Sequence, residues 1–331
     1  MPQYYSTFPV GFEPAIEEFI ARDMPGTQVL RMLDGAVEYR RRAVLDAFPQ
    51  WFNNTFLCLM TFPRAPKDPL QDMVRLALQR GVDSDVLASH LPPGASTFRA
   101  MFMIDGLLAH AGMKTMAKAE DFLTASSGLK PGRARPDVEF WFLYRREGTG
   151  FLLMRLTRHG DYAGQLEAGE LRPEVAHILC RLSDPKPDDV FLDPFAGAGG
   201  IVKARLEYPA AEVIAGDIVP KPALSAALKG AHNARALTMD ALDMRDIPSG
   251  SVDAVVCDPP WGQYERLEDP AAFYGRFASE ARRVLKKGGR LVMLTALKRE
   301  AEAALRQCLT VQGRLDALVS GKKAVVFICR N

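Results

Sequence analysis

Cysteine is scarce and scattered. Cys58, Cys180, Cys257, Cys308 and Cys329 are the five present in 331 residues, with no CxxC pair and no Cys/His ligand spacing. That excludes a disulfide framework and a zinc site, and fits a reducing compartment. An excess of either charge is missing as well, because 42 Lys and Arg stand against 40 Asp and Glu. Any nucleic-acid surface must therefore be local. No apolar run reaches membrane-spanning length, and the opening MPQYYSTFPVGFEP lacks a basic segment followed by an apolar one. Neither a membrane span nor an export leader is expected, so the expectation is a soluble, cytoplasmic protein. Internal repeats and low-complexity tracts are also absent, which excludes a solenoid. A chain of this length predicts two or three domains.

What is present divides into two regimes, separated by HGDYAGQLEAGELRPEVA (His159 to Ala176). Before it, an extended opening (Tyr4 to Val10) leads to a helix from Pro14, with Ile16, Phe19 and Ile20 at helical spacing. A second helix is predicted from Leu70, and GAVEYR (Gly35 to Arg40) reads as a strand. VEFWFLY (Val138 to Tyr144) and FLLMRL (Phe151 to Leu156) flank the turn-rich REGTG, as an antiparallel hairpin does. This half is mixed α+β. After the linker, strands at Val190 to Leu192, Val213 to Ala215, Ala254 to Cys257 and Arg290 to Thr295 alternate with helices. Those helices are placed after Gly199, over Pro222 to His232 and over Ala271 to Leu285. Such alternation predicts a mostly parallel, doubly wound α/β sheet. LDALVSGKKAVVFIC (Leu315 to Cys329) has no room for a crossover helix between its apolar runs, so it predicts an antiparallel hairpin at one sheet edge.

Two motifs carry chemistry: FLDPFAGAGG (Phe191 to Gly200) and CDPPWG (Cys257 to Gly262). The first lies at the carboxyl end of the first strand, where α/β sheets bind ligands. Gly197 and Gly199 let the backbone turn sharply and be approached closely. Asp193 is placed to accept hydrogen bonds from the ammonium group of S-adenosylmethionine, and Asp217, in AGDI, from its ribose hydroxyls. Asp240, in TMDALD, is placed for the adenine amino group, a role for which Asp243 and Asp246 compete. A nicotinamide-binding Rossmann domain fits less well. The third glycine of its GxGxxG would fall at Val202, and Asp193 would face a pyrophosphate. A glycine-rich turn without a ligand leaves both acids unexplained.

An exocyclic amine on a base has its lone pair delocalised into the ring, so it reacts only when held against the electrophile. Asp258 and the carbonyl of Pro259 can accept its two hydrogens, while the Pro259–Pro260 pair stiffens the loop. Trp261 offers a face for the base, a stack worth roughly 1–3 kcal/mol. Without its context, the same segment would read as an ordinary turn. Cys257 invites a nucleophile hypothesis, but a cysteine ending an apolar strand is more often a small buried hydrophobe.

On these residues the chain resembles the THUMP-domain RNA methyltransferases that modify N2 of guanosine in transfer RNA. STFPVGFEPAIEEFI is similar to that family's opening segment. STFRAMFMIDG and SSGLKPGRARPDVEFWFLY are similar to its THUMP domain, and GELRPEVAHIL to the helix that leads into its catalytic domain. DPFAGAGG, GDI and DPPWG match its cofactor and catalytic motifs, although Gly200 stands where the family has Thr or Ser and Trp261 where it more often has Tyr. The resemblance implies a class I S-adenosylmethionine methyltransferase fold, with a seven-stranded, mostly parallel sheet and one antiparallel edge strand, plus an amino-terminal α+β region.

It also implies a division into a ferredoxin-like segment (1–60), a THUMP-like RNA-binding domain (61–158), a linker (159–175) and a methyltransferase domain (176–331). Catalytic residues would be Asp258, Pro259, Pro260 and Trp261. The cofactor would lie against Leu171, Asp193, Ala196, Gly197, Gly199, Asp217, Ile218, Asp240 and Ala241. Lys130, Arg133 and Arg135 would contact RNA phosphates, and the run Arg40 to Arg42 is either a second such contact or a solvated helix face. No metal is expected, nor a membrane. The partner would be transfer RNA and the protein a monomer, with a small activating subunit left open. DPPW alone does not choose among amines, so adenine N6 in DNA is the alternative substrate. A noncatalytic RNA-binding protein that keeps the cofactor fold as scaffold is the alternative of another class.

Overall fold

Apolar strands in each half of the chain build two different sheets. The computed structural model describes the chain except residues 43–46, 65, 66, 133, 158–165, 167–169 and 263–266. Two compact units result. The first comprises Met1–Thr7, Phe19–Phe48 and Phe52–His159, and the second Phe8–Glu18, Pro49–Trp51 and Gly160–Asn331.

Along the first half run β1 (Gln3–Thr7), α1 (Glu13–Asp23), β2 (Gln28–Leu33), β3 (Ala36–Arg40), β4 (Asn54–Phe62), α2 (Pro69–Arg80) and α3 (Ser84–Ala88). β5 (Thr97–Ile104), β6 (Leu107–Leu108), α4 (Met113–Ser127), β7 (Lys130–Pro131), β8 (Val138–Arg145) and β9 (Thr149–Arg155) follow. The strands form one sheet of order β2-β3-β1-β4-β9-β8-β5-β6, with β7 beside β5. The expected boundary at 60/61 falls inside β4, which pairs with β1 on one side and β9 on the other. The residues on either side of that boundary thus share one ladder. The β8–β9 hairpin pairs Arg145 with Thr149, as the REGTG turn implies. Arg40 closes β3 rather than lying on a helix, and its guanidinium donates to the Gln3 side-chain oxygen at 3.0 Å.

In the second unit α5 (Pro173–Leu182) precedes β10 (Val190–Asp193), α6 (Gly200–Leu206), β11 (Glu212–Asp217), α7 (Pro222–Ala227), β12 (Ala234–Thr238) and β13 (Val252–Cys257). Then come α8 (Pro270–Val284), β14 (Leu285–Thr295), α9 (Lys298–Cys308), β15 (Thr310–Val319) and β16 (Lys322–Arg330). The sheet order is β12-β11-β10-β13-β14-β16-β15. The first five strands are parallel, and β16 runs antiparallel to both its neighbours, one place in from the edge. Phe191, Leu192, Val213, Ala215, Val255 and Cys257 have no exposed surface, as central parallel strands covered on both faces require. The chain winds outward from β10 in both directions, so the cleft beyond the carboxyl ends of β10 and β13 is the switch point where such sheets bind ligands.

Three elements differ from the expectation. α7 ends at Ala227 rather than His232, because Leu228 caps it and Gly230 turns at φ 85°. β14 begins at Leu285, since α8 passes straight into it and a register shift between Val252 and Ala254 absorbs the glycines. α9 gave no apolar signal, because a helix rich in Lys, Arg and Glu has only Ala301, Ala304 and Leu305 buried among its described residues. Among the described residues no helix is long and apolar enough to cross a membrane.

Candidate active site

Asp193 is the last residue of β10 and is 1% exposed. Its Oδ1 accepts the Phe195 N–H at 3.1 Å, whereas Oδ2 is buried with no partner among the described residues. Burial, reinforced by the Asp258 and Asp217 carboxylates and opposed by the Phe195 N–H, holds its carboxyl well above the usual range. A buried acid with one idle oxygen is costly unless something cationic or donating completes it.

The loop after Asp193 is fixed from β11. Ala196 N–H donates to Gly216 O at 2.9 Å, and Gly197 N–H donates to Asp217 Oδ2 at 2.8 Å. Asp217 Oδ1 also accepts Val219 N–H at 2.9 Å. Asp217 therefore shapes the loop as well as standing at its rim. Gly197 and Gly199 have φ 53° and 89°. A Cβ on Gly199 would lie 3.0 Å from Ala227 Cβ and 3.1 Å from Leu224 Cδ1. Gly199→Ala should cost about 1–2 kcal/mol, read as a lower urea midpoint with unchanged slope.

Asp258 follows β13, on the strand adjacent to β10. Burial raises its carboxyl to about 7, against the Trp261 indole N–H, which donates to Oδ1 at 2.7 Å. Because the folded value lies above the unfolded one, the native protein binds an extra proton between about pH 4 and about pH 7, and stability falls as pH rises through that window. Asp258→Asn should accordingly melt roughly 3–8 °C above the wild type at about pH 8, with the two converging near pH 4. A constant difference across that range would contradict the titration.

One cavity brings the two acids together. Its lining includes Asp193, Ala196, Gly197, Leu171 and Asp258, all expected from the sequence, with Gly200 and Ala198 between them. Glu170, Phe195, Ile201 and Lys221 also line it and were not expected. Lys221 sits in the loop after β11, where the sequence offered only its position close behind Asp217. Phe195 is held by the Phe277 and Phe273 rings at 5.3 and 6.0 Å. Gly199, Asp217, Ile218, Asp240, Ala241, Pro259, Pro260 and Trp261 do not belong to that lining. Ala241 packs in the hydrophobic core, and Ile218 is 67% exposed. Asp240 Oδ1 accepts the Leu242 N–H at 2.8 Å, which fixes its turn. In the first unit Lys130 and Arg135 are exposed, and Arg133 lies outside the described residues.

Residues 161–203 and 203–319 match the family model described as RMKL-like, methyltransferase domain. Over 213 residues the chain is 31% identical to tRNA (guanine(6)-N2)-methyltransferase of Thermus thermophilus, covering 61% of this chain and 63% of that relative. It thus spans less than two thirds of that relative's length. The crystal structure of TrmN from Thermus thermophilus superposes with a TM-score of 0.79 at 24% identity, covering 100% of both chains. That of SMU.472 complexed with SAH superposes with a TM-score of 0.69 at 12% identity, covering 99% of this chain and 97% of that one.

Proposed function

We propose that this chain, whose residues 161–319 carry a methyltransferase domain of the RMKL-like family, moves a methyl group from S-adenosylmethionine to an exocyclic amine of RNA, namely N2 of a guanosine in transfer RNA. The observation that carries the reading is the pairing, across one cavity, of a buried Asp193 oxygen that has no partner among the described residues and an Asp258 carboxylate.

The cofactor fits what the residues offer. Its ammonium would complete Asp193 Oδ2, the idle buried acceptor. Asp217, whose two oxygens each accept one backbone N–H, keeps lone pairs for ribose hydroxyls. Asp240 would take the adenine amino group, with Leu171, Ala196 and Gly197 as walls of the cavity. When bound, S-adenosylmethionine supplies a methyl group on a sulfonium, an electrophile that needs an oriented nucleophile.

The chain's own residues provide that orientation. Asp258 and the Pro259 carbonyl accept the amine hydrogens, which aims the nitrogen's lone pair and stabilises the positive charge that grows on it. Pro260 keeps the loop stiff, Trp261 presents its ring to the base, and the proton is lost late, so Asp258 need not be strongly basic. A base must leave its stack to reach such a cleft. The first unit, with its THUMP-like region 61–158, would hold the RNA through Lys130, Arg133 and Arg135. The similarity to tRNA (guanine(6)-N2)-methyltransferase of Thermus thermophilus supports this substrate class. A cytoplasmic monomer is part of the same reading.

The test is transfer of labelled methyl from S-adenosylmethionine to unmodified transfer RNA, with duplex DNA in parallel and nucleoside mass spectrometry of the product. Label in N2-methylguanosine is expected. Label in DNA adenine would move the reading to the N6 alternative, and cofactor binding without label in either would favour a noncatalytic RNA-binding role.

A further inference from the structure

Trp261 is five-membered NH edge first: its Nε1 lies 2.7 Å from Asp258 Oδ1, three residues back in the same loop. An indole can donate only through that nitrogen, and its two ring faces stay available when the edge is engaged. The contact spans a Pro-Pro pair whose backbone donates nothing. The carboxylate is therefore oriented from a side chain.

We infer that Trp261 is a positioning residue for Asp258, its indole N–H engaging Oδ1 and turning the carboxylate so that Oδ2 is left for the substrate amine. This deepens the proposed amine-methylating role and rests on it. A hydrogen bond to the charged form opposes the burial that would keep Asp258 protonated, and a protonated carboxyl has a hydrogen where the amine needs an acceptor. The same bond fixes the plane of the indole and so the direction of its stacking face. Among the described residues, other titratable or charged groups around Asp258 are Asp193 at the end of β10, Glu170 and Lys221 in the cavity lining, Cys257 on β13, and Tyr274 on α8. The Tyr274 hydroxyl is engaged with Thr295 Oγ1 at 2.7 Å. Among the described residues, the hydrogen bond recorded on the Asp258 side chain is the one from Trp261.

Trp261→Phe keeps an aromatic face and removes the N–H, and Trp261→Leu removes both. With S-adenosylmethionine saturating, kcat/KM for transfer RNA is measured from about pH 6 to about pH 9. For Trp261→Phe the acid limb should move up by about one pH unit, a roughly tenfold deficit near pH 6 that shrinks to a constant fraction at alkaline pH. Trp261→Leu should add a loss at every pH. A Trp261→Phe profile that superposes on the wild type, or falls equally at every pH, would overturn the inference.

The same displacement is readable without turnover. The pH at which Asp258→Asn gains half of its extra melting temperature should rise when that substitution is made in the Trp261→Phe background. If the wild type methylates nothing, the proposed function fails, and this melting comparison alone decides the role of Trp261.

Discussion

Asp258→Ala is expected to lower methyl transfer by about three orders of magnitude, the size of effect that follows removal of a group whose interaction strengthens only in the transition state. The carboxylate stands at the end of β13, one strand over from Asp193, and faces the same cavity. Its proposed partner is the substrate amine rather than the cofactor, so the dissociation constant of S-adenosylmethionine should stay within about threefold of the wild type. Because the free carboxyl is raised to about 7, its loss should not destabilise the fold at neutral pH. Calorimetry for binding, single-turnover kinetics for chemistry and thermal melting for stability separate the three readouts. Near-normal turnover would remove the amine clamp from the mechanism. A large loss of cofactor affinity would reassign Asp258 to the cofactor.

Asp193→Asn should act in the opposite sense, weakening cofactor binding by roughly a hundredfold, or about 3 kcal/mol, because a buried charged partner is replaced by a neutral one. The isosteric amide keeps the acceptor for the Phe195 N–H, which already bonds to Oδ1. The unliganded protein should be at least as stable as the wild type, since an acid held far from its usual ionisation is removed. Isothermal titration with S-adenosylhomocysteine measures the first effect and denaturant unfolding the second. Equal losses of affinity and stability would mean that Asp193 only supports the loop.

The placement of Asp193, Gly197 and Asp258 was legible because each lies at or just beyond the carboxyl end of a short apolar strand, and strand ends in a doubly wound sheet converge at the switch point. Leu171 and Ala196 reach the same cavity. What the sequence concealed depends on loop geometry. The Asp217 oxygens each bind a backbone N–H, a contact set by how the glycine turn folds back on β11. The Trp261 N–H reaches back to Asp258 across two prolines, so a residue read only as a stacking surface also holds the acid. Lys221 enters the cavity from a loop that carries no motif, and Glu170 from a stretch that reads as leading into a helix rather than as part of the site.

At the level of fold, periodicity gave the β8–β9 hairpin and the parallel strands. The expected division at residue 60 falls within β4, which pairs on both sides, a pairing that the linear sequence does not display. α9 escaped notice since its buried face is mostly alanine, which carries little apolar contrast.

The most direct test is a crystal structure of the protein with S-adenosylhomocysteine. The expected result places the ligand's ammonium within hydrogen-bond reach of Asp193 Oδ2 and its sulfur on the side of the cavity that Asp258 faces. A ligand bound elsewhere, or one whose ammonium leaves Asp193 Oδ2 without a partner, would contradict the account.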